Sequence, residues 1–396
     1  MAFRVVIAGA GVAGLETALA LRALAEALVS VELVAPEQEF TYRPLAVAEP
    51  FRVGEVRRFP LPRLVTATGA ALRPGTVAQV DPAENVALLE DGQTLDFDAF
   101  VLALGARPRE AVAGALTFRG PQDGPALSTL LARATEGDLR RIVFAVPAAT
   151  SWPLPLYELA LLTAGYLTDH GTRGVDILLV TPEERPLALF GSQASDALRE
   201  LLEIRGIELH VETAPIVWRD GLLEVAGLPP IDADAVVALP QLVGPALPGL
   251  PHDGAGFVPT DAHGRVPGTA AVYAAGDCTQ FPLKQGGVAT QQADEVAAAI
   301  AAEVGGRSEA PPVRPVIRGL LLTGLVPRYL RSEAGTGRSV VDTEPLWWPP
   351  AKIVGRYLTP FLAAQLGLAP SLSETSRADA VEVEVDPLDH ASWSTV

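Results

Sequence analysis

Near the start of the chain, three glycines have the spacing G-x-G-x-x-G, which suits the binding of a pyrophosphate. They are Gly9, Gly11 and Gly14, and they follow the apolar strand FRVVIA. The first glycine permits a tight turn, the second lets the backbone approach phosphates, and the third lets helix and strand pack closely. N–H groups at the start of the following helix would face the negative charge. The spacing therefore predicts a nucleotide site.

A carboxylate that closes the next strand usually accepts hydrogen bonds from the adenosine ribose of such a nucleotide. Here that strand is VSVELVAPE, and Ala35 occupies the expected position. Glu37, two residues further on, is the nearest carboxylate. Glu37 is therefore the candidate ribose ligand.

A second carboxylate follows an apolar strand far downstream, in the segment TAAVYAAGDCTQFPLKQGG. Residues 270–275 lead to Gly276 and Asp277, and a loop then leads to Gly286, Gly287 and an alanine-rich helix. A carboxylate there can accept a hydrogen bond from a ribityl hydroxyl, and the helix start can stabilise charge on a reduced flavin. The alternative interpretation is an ordinary buried strand with an aspartate turn.

The chain contains one cysteine, Cys278, directly after that aspartate. An ionised thiol there could be redox-active, whereas a small buried side chain beside a cofactor would be inert. One cysteine cannot form an intrachain disulfide, which favours a cytoplasmic setting. The five histidines are scattered without metal-ligand spacing, so we expect no metal site.

The elements that would position these residues are those of an α/β protein, and a second nucleotide-domain pattern, β-α-β-α-β, covers residues 141–211. The turn after its first strand has no glycine between Arg140 and Gly165 and carries Pro147 and Trp152 instead. A pyrophosphate cannot approach this turn in the usual way, because Pro147 lacks an N–H and Cβ atoms fill the space. The pattern argues against NAD(P)H binding here.

Composition and charge restrict the class of protein further. The 396 residues are 49% hydrophobic and 19% charged, which indicates a globular chain of two or three domains. The formal net charge of −17 argues against nucleic acid as a partner. No apolar run approaches the ~18 residues that a membrane-spanning helix requires. We expect a cytoplasmic protein, with attachment to the inner face of the membrane as an alternative.

The C-terminal region is basic in this otherwise acidic chain. Residues 313–356 hold seven basic and three acidic side chains, which leaves +4 there and −21 elsewhere. VIRGLLLTGLVPRYLR predicts a hairpin, and the Trp347–Trp348 pair precedes a helix with a kink at Pro360. The predicted helix has one apolar stripe, formed by Ile353, Val354, Tyr357, Leu358, Phe361, Leu362 and Leu366. Residues 313–368 could dock a membrane surface or an acidic protein partner, or pack internally or in a homodimer.

Three segments in order, the N-terminal G-x-G-x-x-G, LALGARP near residue 105 and VYAAGDC near residue 277, resemble the FAD-binding segments of the pyridine nucleotide-disulfide oxidoreductase superfamily. The resemblance covers roughly residues 1–310. It implies an α/β fold with two Rossmann-like domains, the second inserted in the first, plus a C-terminal α+β segment. It also implies non-covalent FAD bound by Gly9, Gly11, Gly14, Arg43, Gly105 and Asp277, with Lys284 and Gln285 close to the flavin.

The resemblance also suggests where the domains begin and end. The predicted boundaries are 1–119 and 241–310 for the FAD-binding domain, 120–240 for the middle domain, 311–372 for the hairpin and amphipathic helix, and 373–396 for an acidic tail.

The turn TSWPLPLYE is similar to that of sulfide:quinone oxidoreductases and flavocytochrome c sulfide dehydrogenases, which reads Cys-Pro-Pro-x-Pro-Tyr-Glu. Pro153, Tyr157 and Glu158 match, while Trp152 stands where that branch has a redox cysteine. Sulfide oxidation there needs two cysteines that cycle through disulfide and persulfide. With Cys278 alone, this mechanism is not available.

The sequence therefore predicts an FAD-dependent oxidoreductase that passes electrons to a quinone or a protein carrier without dithiol chemistry. One alternative is an NAD(P)H-dependent quinone reductase resembling type II NADH dehydrogenases, and another is a flavin-binding docking or assembly protein with little turnover. The catalytic candidates are Trp152, Tyr157, Glu158 and Lys284. Trp152 would lie near the flavin ring or fill the core between the domains, and Tyr157 and Glu158 would assist proton transfer or begin a helix.

Overall fold

The computed structural model describes residues 2–306, 315–333 and 338–367. Its helices are α1 (Val12–Ala25), α2 (Leu61–Thr68), α3 (Gly124–Glu136), α4 (Leu154–Asp169), α5 (Ser192–Ile204), α6 (Gly286–Glu303) and α7 (Leu358–Gln365). Its strands are β1 (Phe3–Ala8), β2 (Val29–Ala35), β3 (Glu39–Tyr42), β4 (Arg57–Pro60), β5 (Ala71–Pro74), β6 (Val77–Asp81), β7 (Val86–Leu89), β8 (Thr94–Asp96), β9 (Ala99–Leu102), β10 (Arg107–Arg109), β11 (Leu116–Thr117), β12 (Arg141–Ala145), β13 (Asp176–Val180), β14 (Ile207–His210), β15 (Pro215–Arg219), β16 (Leu222–Val225), β17 (Ile231–Asp232), β18 (Ala235–Ala238), β19 (Gln241–Val243), β20 (Val272–Ala274), β21 (Val316–Leu321), β22 (Arg328–Glu333) and β23 (Ser339–Asp342).

The first sheet consists of five parallel strands in the order β20-β9-β1-β2-β5. Successive side chains of a strand point to opposite faces, so apolar strands such as β1 contribute to two cores. Val5 and Ile7 pack with α1 and α6 on one face, whereas Val6 and Ala8 pack on the other face against the antiparallel sheet β6-β7-β8. This layering brings the carboxyl ends of β1 and β20 to one edge of the sheet, where both predicted cofactor segments begin.

The second sheet has five parallel strands in the order β11-β18-β12-β13-β14. Ile142 and Phe144 of β12 pack with α3, α4 and α5, while Val143 and Ala145 pack with the antiparallel sheet β15-β16-β17. All strands of this sheet lie in sequence between β9 and β20 of the first sheet. The second domain is thus inserted in the first, and the predicted fold class is confirmed. The domain boundaries remain predictions.

The glycine-less turn after β12 is shorter than the sequence suggested. The next helix, α4, begins at Leu154 rather than near Tyr157, and Pro155 lies in its first turn. Proline is compatible with this position because the first N–H groups of a helix have no partner within the helix. Tyr157 and Glu158 therefore occupy the second turn of α4, so the interpretation of Glu158 as a helix-start residue is wrong.

The C-terminal segment forms the predicted hairpin, with β21 antiparallel to β22, and adds β23 to it. The predicted helix is shorter than expected, since α7 begins at Leu358 and places Pro360 in its first turn. A proline in the first turn removes no hydrogen bond within the helix, because the first N–H groups have no partner there. The predicted kink is therefore wrong. Ile353 and Val354 lie in the loop before α7, and the predicted stripe is therefore not one helix face.

In the part of the chain that the structure describes, we find no helix with the length and apolar character needed to cross a bilayer.

Candidate flavin site

The segment from the end of β1 into α1 gives a distinct physical role to each of its three glycines. A Cβ atom on Gly9 would lie 2.4 Å from the carbonyl oxygen of Ala103, and one on Gly14 would lie 1.9 Å from the carbonyl oxygen of Gly9. Gly9 also has a φ of +106°, which disfavours other residues. A Cβ on Gly11, by contrast, would have no atom of the described residues within 4 Å. Packing thus requires Gly9 and Gly14, while Gly11 faces space that a phosphate can enter.

Three charged side chains gather beside the turn that follows β20. Asp277 lies in this turn, Lys284 precedes α6, and Arg43 begins a short 3-10 helix, Arg43–Val47. Burial raises the pKa of Asp277 to about 6 against the opposing effects of Lys284 and Arg43. Burial likewise lowers the pKa of Lys284 to about 8, against the effect of Asp277. The structure therefore brings together three residues that the sequence analysis named as cofactor-binding candidates.

Lys284 is held in place by two contacts. Its Nζ donates a hydrogen bond to the carbonyl oxygen of Thr279 and lies 3.9 Å from the ring centroid of Phe257. A cation over an aromatic face is attracted by the ring quadrupole. These contacts leave the ammonium group close to Asp277 and at the wall of the neighbouring cavity.

Gln292 of α6 contacts this turn, and the sequence interpretation missed it. Its Oε1 accepts a hydrogen bond of 2.8 Å from the backbone N–H of Gly276 and so orients the peptide before Asp277. The sequence signal that could have identified Gln292 is a polar side chain in the alanine-rich helix, on the face of that helix towards β20. Gln292 positions the carboxylate without being a ligand candidate itself.

Gln285 was predicted to lie close to the flavin, and its side chain is engaged within the protein. Its Oε1 accepts from the N–H of Val288 at 2.8 Å, which caps α6, and its Nε2 donates to the carbonyl oxygen of Arg318 at 3.2 Å. Glu37 is exposed just beyond β2, and Gly105 follows β9 with a φ of +69°. Both lie at the carboxyl edge of the first sheet, and their contacts to a cofactor remain predictions.

The pKa of Asp277 leads to a testable pH dependence of the flavin-free protein. Because the folded protein raises this pKa from 3.8 to about 6, it binds more protons than the unfolded chain between these values. Its free energy of unfolding therefore falls as pH rises through that window. We expect Asp277→Asn to remove this fall and to stabilise the flavin-free protein at pH 7 by roughly 2–3 kcal/mol. Urea unfolding at several pH values measures the free energy of unfolding of both proteins. The same dependence on pH in the wild type and in Asp277→Asn would contradict a raised pKa of Asp277.

A cavity between the two domains adjoins the charged cluster. Trp152 lies in its wall together with Arg43 and Lys284. The Trp152 ring also packs edge-on against Phe190 of the middle domain, with ring centroids 5.7 Å apart. The remaining wall residues come from both domains and include Pro44, Val47, Phe118, Arg119, Thr150, Ser151, Leu239 and Pro240. Trp152 therefore lies in the cavity wall beside the predicted flavin ligands and also packs on the middle-domain core. Its position relative to a flavin ring remains a prediction.

Tyr157 and Glu158 point into the protein instead. The Tyr157 hydroxyl donates to Oε2 of Glu183 at 2.6 Å, and both oxygens of Glu158 lie 2.6 Å from Nζ of Lys352. Glu158 also accepts from the N–H of Leu322 at 2.8 Å. Burial raises the pKa of Glu158, opposed by Lys352, and burial with Glu183 raises that of Tyr157. The Glu158 contacts attach α4 to the C-terminal segment, whereas the Tyr157 contact attaches it to the loop after β13.

The phosphate-binding end of the middle domain is covered. Gly319 of β21 packs so closely that a Cβ there would lie 2.7 Å from Cζ of Phe190 and 2.8 Å from Cδ1 of Leu154, the first residue of α4. Glu183, which the sequence interpretation missed, lies just after β13, where a ribose-binding acid is usual. It is hydrogen-bonded by Tyr157 and by the Thr181 hydroxyl. The sequence signal that could have identified Glu183 is an acid three residues after the end of the second strand.

Cys278 has the environment of an inert thiol. It is fully buried, and its Sγ lies 3.3 Å from the carbonyl oxygens of both Leu102 and Ala275. Burial and the charge of Asp277 raise the pKa of the thiol to about 12. Since the thiolate is the reactive form, this environment opposes redox chemistry at Cys278. Among residues 2–306, 315–333 and 338–367, no three metal-ligating side chains come together.

Two Rossmann-like domains, a glycine loop open at Gly11 and a charged turn after β20 define a nucleotide-binding oxidoreductase of two dinucleotide domains. The family model for pyridine nucleotide-disulphide oxidoreductase matches residues 3–132 and 159–293, which is more than half of the chain. The protein belongs to this family and is an enzyme, and the predicted superfamily is confirmed. The family binds FAD and uses NAD(P)H.

Three known proteins are similar to this chain in sequence or in fold. The demethylphylloquinone reductase NdbB of Synechocystis sp. is 28% identical over 69% of this chain and 71% of its own. The ferredoxin–NAD(+) reductase subunit of the benzene 1,2-dioxygenase system of Pseudomonas putida is 27% identical over 80% of this chain and 78% of its own. The solved structure of sulfide:quinone oxidoreductase from Aquifex aeolicus has a TM-score of 0.81 at 17% identity, covering 98% of this chain and 99% of that one. This last likeness concerns the fold.

Proposed function

We propose that this enzyme holds FAD non-covalently between the β1–α1 loop and the β20–α6 turn, and that its electron donor is not NAD(P)H. Electrons leave to a quinone or a protein carrier, without dithiol chemistry. The observation that carries the proposal is the turn after β12, which lacks glycine and is covered by β21 at Leu154.

The residues at the edge of the first sheet fit an FAD molecule. Gly11 leaves open the space where a pyrophosphate would lie, and the first turn of α1 directs its N–H groups there. Burial raises the pKa of the Asp277 carboxyl, while Lys284 and Arg43 lower it. Its carboxylate oxygens would accept a hydrogen bond from a ribityl hydroxyl.

FAD in this site would supply two-electron acceptance and delivery. The side chains around it would control protons and water. Lys284, with a pKa of about 8, holds a proton on Nζ at neutral pH and can release it with a small change in its surroundings. Trp152 lines the adjoining cavity and would exclude water from it.

Three features support a donor other than NAD(P)H. The family match omits residues 133–158, which contain β12 and the glycine-less turn. Pro147 lacks an N–H, and Glu183 is already hydrogen-bonded by Tyr157. The last two features each remove an interaction with which a dinucleotide is usually bound.

The acceptor is proposed from the relatives' names. One is named a demethylphylloquinone reductase, which supports a quinone, and the other a ferredoxin reductase subunit, which supports a protein carrier. Sulfide oxidation is not proposed, because the single cysteine is buried with a raised pKa.

Residues 313–368 are better explained by packing than by docking to a membrane surface or an acidic partner. Trp347 is buried, donates from Nε1 to the carbonyl oxygen of Ala351, and packs against Tyr329. Leu358 and Leu362 enter the core of the first domain. We therefore propose that the described part of this segment acts mainly within the molecule, where it closes over α4 and the start of α6.

An NAD(P)H-dependent quinone reductase is the second candidate. It is favoured by the complete parallel order of the middle sheet and by the name of the Pseudomonas putida relative. Breaking the Tyr157–Glu183 hydrogen bond would free the carboxylate for a ribose.

Anaerobic reduction of the bound flavin by a panel of donors tests the proposal. The panel contains NADH, NADPH, sulfide and small quinols, and turnover with a soluble quinone is measured in parallel. We expect one or more donors outside the nicotinamides to reduce the flavin faster than NADH does. Rapid reduction by NADH would favour the second candidate. Flavin reduction without turnover towards any quinone or carrier would favour a docking role.

A further inference from the structure

The C-terminal sheet places two arginines side by side on one face. Arg318 of β21 is the direct cross-strand neighbour of Arg331 of β22. Directly opposed residues of an antiparallel pair lie on the same face with adjacent side chains, and like charges there repel each other. The two arginines therefore require a compensating group.

The direction of this face follows from the packing of the neighbouring residues in β21. Ile317 and Leu321 enter the middle-domain core, and Gly319 abuts Phe190. Since side chains alternate along a strand, Arg318 points to the opposite face. That face also carries Leu320, which packs with Tyr329 and Trp347.

Only part of the positive charge on this face is balanced. Arg331 donates from Nη2 to Oε1 of Glu333 at 2.8 Å, while its buried Nε has no hydrogen-bond partner within the described residues. Arg318 is just 7% exposed, and its guanidinium forms no hydrogen bond or ion pair with any residue that the structure describes. Burial and the charge of Arg331 lower its pKa to about 10, with Glu333 opposing, so Arg318 is still charged at neutral pH.

A buried charge is normally paired or neutralised, and a guanidinium at neutral pH cannot be neutralised. Its fork of N–H donors matches the oxygens of a carboxylate or a phosphate. We propose that Arg318 and Arg331 form a binding site for a small oxyanion, the phosphate or carboxylate group of a metabolite. The site is anchored to the cofactor region, because the carbonyl oxygen of Arg318 accepts a hydrogen bond from Gln285, the capping residue of α6. Oxyanion binding would thus stabilise the β21–α6 contact.

Thermal unfolding of the FAD-loaded enzyme tests the site. The probes are sodium phosphate and sodium acetate, each compared with sodium chloride at equal ionic strength, and calorimetric titration with the better probe measures its affinity. A ligand that binds the folded state raises the unfolding midpoint. We expect one probe to raise the unfolding midpoint of the wild type above the midpoint in chloride. We expect Arg318→Met or Arg331→Met to weaken the binding of that probe roughly tenfold or more. The control variant is Arg328→Met, because the side chain of Arg328 on β22 is on the opposite face of the sheet. We expect this variant to keep the rise in unfolding midpoint that the oxyanion causes.

A second readout does not depend on choosing the right anion. Without an added oxyanion, Arg318→Met removes an unpaired buried charge and replaces it with apolar volume, so we expect its unfolding midpoint to exceed that of the wild type. Equal phosphate and acetate responses in the wild type and both arginine variants would overturn the proposal. So would the absence of any oxyanion response in the wild type, or a lower midpoint for Arg318→Met in oxyanion-free buffer.

Discussion

Gly11→Val should yield a folded but colourless protein. A valine side chain at this position would fill the open space in front of α1, where the pyrophosphate of FAD is proposed to lie. The fold should tolerate the change, since a Cβ on Gly11 meets no described atom within 4 Å. We expect FAD affinity to fall by about 100-fold or more, which corresponds to roughly 3 kcal/mol. The measurement is flavin content per chain after purification and after reconstitution with FAD.

The matched control is Gly254→Val. Gly254 is also exposed, and a Cβ there likewise meets no described atom within 4 Å, but it lies outside the proposed site. This variant should be as yellow as the wild type. Full flavin content in Gly11→Val would show that the β1–α1 loop does not hold the cofactor. A colourless wild type that takes up no FAD on reconstitution would reject the flavin proposal itself.

The different roles of the three glycines illustrate what sequence could predict. The G-x-G-x-x-G spacing correctly indicated a strand, a turn and a helix, because short-range sterics determine those elements. The inserted domain, by contrast, was implied by the resemblance of the three ordered segments to a known superfamily. Only the first of these predictions rests on local backbone geometry, which a short motif specifies.

Contacts between segments that are far apart in the sequence could not be predicted from it. Glu158 and Lys352 are 194 positions apart, and their ion pair follows from how the C-terminal segment lies on α4. The apolar stripe from Ile353 to Leu366 satisfied helical periodicity, yet the chain uses Ile353 in a loop to cover Gly286 at the start of α6. Periodicity cannot distinguish one helix from a loop and a helix that bury the same residues. The burial of Arg318 depends in the same way on tertiary packing.

Trp152→Gly should speed the reduction of the flavin by nicotinamides. In the wild type we expect slow reduction by NADH and NADPH alike, because the indole lines the cavity beside Lys284 and crowds a planar ring approaching from that side. Removing the indole opens this approach, and we expect the rate constant to rise by about tenfold, equivalent to roughly 1.4 kcal/mol of barrier. Stopped-flow absorbance of the flavin under anaerobic conditions measures the rate.

Trp152→Phe is the matched control, since a phenyl ring keeps most of the packing on Phe190 and should leave reduction slow. Trp152→Gly also loses that packing, and large-to-small changes of this kind cost about 3 kcal/mol or more in a core. Circular dichroism and flavin content should therefore be checked before the rates are compared. Rapid, saturable reduction of the wild type by NADH would show that Trp152 does not close the site. Equal, slow rates in all three proteins would assign the closure to β21 over Leu154, because that contact survives both substitutions.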